Sequence, residues 1–198
     1  MLRILMVCTG NICRSPLAEL LLRTRLADLG ALVSSAGTRA AAGHRMTAEA
    51  RHLAVHLGVP ERDADAHRSQ LLTESQLADP DLILAMTRDH RRAIVELAPA
   101  RVRSTFTLRE LARIASGTPS GELARAVASA GADPSDRLRM ALSALADRRA
   151  QARIPVDPDE DDVVDPYGLT WAEYQRSATQ ILPAIGAIED LIRATLAD

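Results

Sequence analysis

Along its first 110 residues the chain alternates between short unbroken apolar runs and longer stretches where apolar residues recur every three or four positions. Leu2–Cys8, Leu32–Ser35, Leu82–Met86 and Val102–Phe106 are short and of strand length, and are the strand candidates. Between the first two, apolar positions 17, 20, 21 and 26 predict a helix over Leu17–Leu29, with Gly30 as its C-cap. Thr47–Leu57, stopped by Gly58, and Arg88–Leu97, stopped before Pro99, predict two more helices. This alternation predicts a three-layer α/β fold: a parallel twisted sheet with helices on both faces. In such sheets ligands bind beyond the carboxyl ends of the strands, which places the turn after the first strand at the working edge.

The pattern changes in the last third. Residues 116–162 are punctuated by Gly, Pro and Ser, hold one helical stretch around Ser135–Gln151, and end in the acidic run Asp157-Pro158-Asp159-Glu160-Asp161-Asp162. The stretch 111–162 is too short and too polar for its own core, so residues 1–198 are expected to form a single domain with an insertion there. An amphipathic helix from Thr170 closes the chain. Thr170 and Glu173 have capping-box spacing, Trp171, Tyr174, Ile181, Ile185, Ile188 and Ile192 share a face, and Pro183 is expected to kink or split it. There is no internal repeat.

Composition narrows the function classes. A net charge of -2 without a basic face argues against nucleic-acid binding, and 2% aromatic residues leave no stacking platform for single strands. Met1–Val7, with Arg3, has the look of a signal peptide start, but Thr9-Gly10-Asn11 interrupts it, and no later stretch approaches a membrane span. The two cysteines, Cys8 and Cys13, form no disulfide framework; a reducing cytoplasm and a thiol kept for chemistry are expected.

Candidate chemistry concentrates in Cys8-Thr9-Gly10-Asn11-Ile12-Cys13-Arg14-Ser15-Pro16, on the predicted strand-to-helix turn. Such a loop can wrap its N–H groups, from Thr9 to Ser15, around one tetrahedral oxyanion with a sulfur beneath it. Gly10 and Asn11 are expected to supply positive φ. Ser15 then Pro16 reads as an N-cap and first helical residue, aiming the helix's positive end at the loop. Arg14 offers a planar fork for two anion oxygens. A thiol beside a helix N-terminus and a cation ionises readily, with the Ser15 hydroxyl as a further donor to the sulfur. A phosphate monoester suits this nest: in-line attack would make a phosphocysteine and expel an alkoxide or phenoxide. That oxygen needs a proton, and water must later remove the phosphoryl group. Asp165, in Asp165-Pro166-Tyr167-Gly168, is the candidate acid and then base, with Tyr167 as a wall of the cleft. Asp-Pro recurs at 79–80, 133–134 and 157–158, so the neighbours and the position before the last helix decide the choice.

The string Cys8–Pro16 resembles the signature Cys-x-Gly-Asn-x-Cys-Arg-Ser-Pro of the low-molecular-weight protein tyrosine phosphatases. Ser35-Ala36-Gly37-Thr38, Asp81–Met86 and Asp165–Gly168 are similar to other segments of that family, so the resemblance spans 1–110 and 163–198. It implies a four-stranded twisted parallel sheet with the phosphate-binding loop after the first strand. Cys8 is then the nucleophile, Arg14 the phosphate clamp, Asp165 the general acid, and Asn11 and Ser15 the residues that hold the loop and tune the thiol. The implied substrates are tyrosine-phosphorylated proteins, with no metal and no cofactor. Two departures concern the cleft. Thr38-Arg39-Ala40-Ala41-Ala42-Gly43 lacks the aromatic residue many members carry after the second strand, and only Tyr167 follows the Asp-Pro where many have two aromatics.

Other readings divide on single residues. Cys13 either pairs reversibly with Cys8, protecting it from overoxidation, or is a packed thiol. His52 and His56 have metal-pair spacing without a third ligand, and His67 stands where the family often has a loop-supporting polar residue. The acidic run and the arginines of 88–92 and 148–149 are expected to be solvated faces. Arsenate reductase chemistry needs cysteines downstream of the loop, which this chain lacks. A phosphoarginine phosphatase of this family tends to have threonine where this chain has Ile12. A phosphoprotein-binding module would need neither nucleophile nor acid.

Overall fold

The computed structural model describes residues 1–149, 151, 152, 155 and 157–196. One parallel sheet contains β1 (Arg3–Cys8), β2 (Leu32–Gly37), β3 (Leu82–Ala85) and β4 (Thr105–Thr107) in the order β2-β1-β3-β4. Val7 of β1 lies opposite Ala36 on one side and Ala85 on the other. The chain leaves β1 toward β2 and later returns to β3 on its other flank. The carboxyl end of β1 is therefore where the connections diverge and a crevice opens.

Alternation along the strands sorts the apolar side chains between two layers. Ile4, Met6, Cys8, Leu82, Leu84 and Phe106 belong to a cluster with α1 (Arg14–Arg25), α2 (Ala48–His56), α6 (Leu108–Ser116), α8 (Pro134–Arg148) and α9 (Trp171–Leu196). Leu5, Val7, Ile83 and Ala85 pack instead against Leu77 of α4 (Glu74–Ala78) and Ile94 of α5 (Arg88–Leu97). Burial on both faces is why β1 from Ile4 onward and β3 read as unbroken apolar runs. Leu138, Leu142 and Leu145 of α8 share the first cluster with Met6, and α7 (Ser120–Val127) packs against α8 and α9.

Several boundaries differ from the sequence expectations. Residues 102–104 lie in a 3₁₀ segment, Pro99–Ser104, and β4 is only three residues long. The arginines decide this: Arg101 reaches the carbonyl of Pro80 and Arg103 pairs with Asp147 at 2.7 Å, which a strand buried on both faces would forbid. Helix α1 starts at Arg14, ahead of Leu17, and Gly30, at φ +61°, caps the 3₁₀ turn Ala27–Leu29 that follows it. Helices α3 (Glu61–Ala66) and α4 are too short for a periodic signal. Helix α9 runs unbroken through Pro183. Pro183 and Thr179, whose carbonyl loses its intrahelical donor, are both exposed, so water can serve that carbonyl. Trp171 lies outside the buried stripe with its ring edge-to-face on His52, centroids 5.4 Å apart.

Candidate active site

The turn between β1 and α1 is shaped by where its carbonyls go. Cys8 O and Thr9 O accept the N–H groups of Thr38 and Arg39 at 2.9 Å, Ile12 O accepts that of Thr47 at 3.0 Å, and Asn11 O meets His67 Nε2 at 2.8 Å. In a trans peptide the next N–H points opposite its carbonyl, so those of Thr9, Gly10, Ile12 and Cys13 are turned away from these anchors, to the inner side of the loop. Gly37 makes the approach possible. A Cβ there would lie 2.4 Å from Thr9 O and 2.9 Å from Asn11 N. The Ser-Ala-Gly-Thr segment thus has a mechanical reason at the end of β2.

Asn11 takes the left-handed conformation, φ 54°, whereas Gly10 does not, contrary to expectation. The Asn11 side chain explains the asymmetry: Nδ2 donates to Ser15 Oγ (2.9 Å) and Ser35 Oγ (2.7 Å), and Oδ1 accepts from Gln70 N (2.9 Å). Asn11 and Ser15 are both fully buried behind the loop wall and do not line the cavity. Ser15 is also not the N-cap. That position belongs to Cys13, no side chain caps the helix, and Pro16 is its third residue. The first-turn N–H groups of α1 are therefore left for an anion. Cys8 Sγ lies 3.0 Å from Ser15 Oγ and accepts the Asn11 N–H at 3.2 Å.

Arg14 and Asp165 converge above that sulfur. Arg14 is 4% exposed; Nη1 donates to Val163 O (3.2 Å), and Nη2 to Thr9 Oγ1 (3.4 Å) and Asp165 Oδ2 (2.5 Å). The other Asp165 oxygen accepts the Tyr167 N–H at 3.2 Å, while the side chain remains 48% exposed. Cys8, Thr9, Arg14, Asp165 and Tyr167 line one cavity of about 340 Å³. Arg39 and His44 stand at its mouth, where an aromatic wall is missing, and Tyr167, at 64% exposure, is a partial wall.

The acidic run is solvated at Asp157 and Asp159 but anchored at Asp161 and Asp162. Asp161 is 8% exposed and takes both Nε and Nη2 of Arg113, at 3.0 and 2.7 Å, while its carbonyl accepts Thr107 Oγ1 at 2.7 Å. Arg109 holds Asp162 O at 2.8 Å, and Arg88 pairs with Asp159 and Asp162. Val163 N then bonds Met86 O at 2.8 Å, beside the end of β3. The run is a strap that carries Asp165 to the cavity. Arg149 is likewise anchored: it lies 4.4 Å over the Phe106 ring and pairs with Glu110 at 2.7 Å.

His90 is a functional candidate that sequence reasoning missed. Nε2 lies 2.8 Å from Thr9 Oγ1 and Nδ1 lies 2.8 Å from Thr87 Oγ1. Burial, and then the charge of Arg14, push its pKa down to about 4. The available signal is Thr87-x-x-His90 just after β3, where Thr87 is the N-cap of α5. The Cys13 thiol lies 3.5 Å from Thr47 Oγ1 and 3.7 Å from Tyr174 OH; burial pushes its pKa up, and both cysteines are free. His67 supports the loop through Asn11, as its position suggested, and His52 packs on Trp171.

The family model for low molecular weight phosphotyrosine protein phosphatase matches residues 3–118. A probable low molecular weight protein-tyrosine-phosphatase, EpsP of Ralstonia nicotianae, is 42% identical over 108 residues, 54% of this chain and 71% of that protein. A protein-arginine-phosphatase of Geobacillus stearothermophilus is 40% identical over 108 residues, 54% of this chain and 70% of that one. Among solved structures, a low molecular weight protein tyrosine phosphatase from T. tengcongensis superposes with a TM-score of 0.64 at 27% identity, covering 96% of this chain and 99% of that one.

Proposed function

The chain belongs to the low molecular weight phosphotyrosine protein phosphatase family, and on that premise we propose that it hydrolyses phosphotyrosine in proteins through a phosphocysteine on Cys8. One observation carries the reading: a sulfur held by an N–H and a hydroxyl lies in the same cavity as a guanidinium fork and a carboxyl group. The phosphoryl oxygens occupy the inner N–H groups of Thr9, Gly10, Ile12 and Cys13, the first-turn N–H groups of α1 and the Arg14 fork. With the fork on phosphate, Asp165 is released toward the leaving oxygen. The Cys8 thiolate attacks phosphorus, the P–O bond to tyrosine breaks, and Asp165 gives its proton to the departing phenoxide. Water then attacks phosphorus, Asp165 takes its proton, the P–S bond breaks, and phosphate leaves a restored thiolate.

Asn11 and Ser15 hold the loop, Tyr167 walls one side of the aryl group, and Cys13 is available for reversible pairing with Cys8. Residues 1–198 act as one domain, with 111–162 as an elaboration whose α8 leucines join the common core. No described helix is long and apolar enough to cross a membrane, and we place the protein in the cytoplasm, where its thiol stays reduced. Ile12, an apolar lining residue, favours an aryl over a guanidino phosphate. The test is a steady-state comparison of phosphotyrosine, phosphoserine and phosphoarginine peptides, with arsenate reduction as a control. Phosphotyrosine should give the highest kcat/KM. A preference for phosphoarginine would move the chain to the specificity named for its Geobacillus relative, and binding without turnover would make it a phosphoprotein-recognition module.

A further inference from the structure

The Thr9 hydroxyl joins the Arg14 guanidinium to the His90 ring. Arg14 Nη2 has hydrogens and no lone pair, so Thr9 Oγ1 accepts from it. The hydroxyl hydrogen of Thr9 is then free for His90 Nε2, which can take it only if that nitrogen is unprotonated. In that arrangement the ring hydrogen sits on Nδ1 and points to Thr87 Oγ1, an oxygen that also accepts the backbone N–H of His90 at 3.3 Å as the N-cap of α5. The imidazole is 7% exposed and faces the charge of Arg14, both of which keep it neutral; Asp165, Asp162 and Asp89 pull weakly the other way.

We propose that His90 is a positioning residue for the phosphate clamp: by taking the Thr9 hydroxyl hydrogen it keeps a Thr9 lone pair on Arg14 and holds the guanidinium plane over the Cys8 loop. Its use follows from the motion of Asp165. When Asp165 moves from Arg14 to the leaving oxygen, the fork retains Val163 O on Nη1 and Thr9 Oγ1 on Nη2. Without His90 the Thr9 hydroxyl is free to rotate its hydrogen toward Arg14, and the second anchor is lost. This last step rests on the phosphatase reading; the proton arrangement does not.

Two measurements test it separately. Long-range ¹H–¹⁵N spectra of the native protein at neutral pH should show His90 as the Nδ1–H tautomer, and an Nε2–H tautomer or an imidazolium would overturn the proposal whatever the enzyme does. Titration of inorganic phosphate into folded His90→Ala should then show about tenfold weaker binding than the native chain, the scale of one charge-assisted hydrogen bond. His90→Gln, whose carboxamide oxygen can accept from Thr9, should recover most of that loss. Equal phosphate affinity in all three chains, or no recovery in a Gln variant as stable as the Ala variant, would overturn it. A native chain that binds phosphate but fails to hydrolyse phosphotyrosine would sink the enzymatic reading and leave the positioning role standing.

Discussion

Two loops face each other across the cavity, and they are held by different means. The Cys8 loop is fastened by short bonds in the interior: its carbonyls to β2 and its neighbours, and the Asn11 side chain to Ser15, Ser35 and Gln70. The Asp165 loop hangs from a strap held by ion pairs, Arg113–Asp161 mostly buried and Arg88–Asp162 partly exposed, with Val163 N on Met86 O as its inner tie. The first arrangement presets an anion site. The second leaves a carboxyl group free to change partners between Arg14 and a leaving oxygen. Binding should therefore depend on one loop and proton transfer on the other.

The sharpest separation should come from Asp165→Asn. Turnover of a phosphate ester with a poor leaving group should fall about 10²- to 10⁴-fold, the usual worth of a positioned acid, with a much smaller loss on activated aryl phosphates. Inorganic phosphate affinity should hold or rise; equal losses on both substrates would assign the acid elsewhere. Gly37→Ala is the converse. Its methyl group would press on Thr9 O, so phosphate affinity should collapse and stability should drop by about 3 kcal/mol, read from denaturant midpoints.

Asp161→Asn strikes the strap. Losing a mostly buried bidentate pair should lower stability by about 2 kcal/mol, and kcat should fall several-fold with phosphate affinity unchanged. A loss of affinity as large as the loss of kcat would show that the two loops are not independent. The pH dependence is smaller. His90 binds a proton near its ordinary 6.5 when unfolded and only at about 4 when folded. The unfolded chain thus carries more protons between those values, and this part of the stability is complete above pH 6.5 and lost as the pH falls. Between pH 6.5 and 5 the native chain should lose about 1.5 kcal/mol more than His90→Gln, and parallel stability curves would exclude the shift. Smallest of all, Arg88→Ala should change stability by less than about 1 kcal/mol, because exposed pairs are screened by water and salt.

The strands, their parallel direction and the Cys8 loop were legible because they rest on local rules: apolar runs of strand length, a signature of nine consecutive residues, and a helix stopped at Gly58. The α1 cap was misplaced because the loop is stabilised from outside itself, by Thr38, Arg39, Thr47 and His67, none of which a local reading of Ser15-Pro16 weighs. The acidic run misled for a similar reason. Its partners Arg88, Arg109 and Arg113 come from α5 and α6, and a charge run looks solvated until its partners are placed beside it. His90 was missed because its role needs Thr9, 81 residues away in the chain.

The most direct test of the account is rapid-quench mass spectrometry of Asp165→Asn mixed with an activated aryl phosphate, where attack proceeds and loss of the base slows hydrolysis of the intermediate. One phosphoryl group should appear faster than turnover, and fragmentation should place it on Cys8 and not on Cys13. A chain that turns over with no phosphoenzyme, or that carries the group on any other residue, would contradict it.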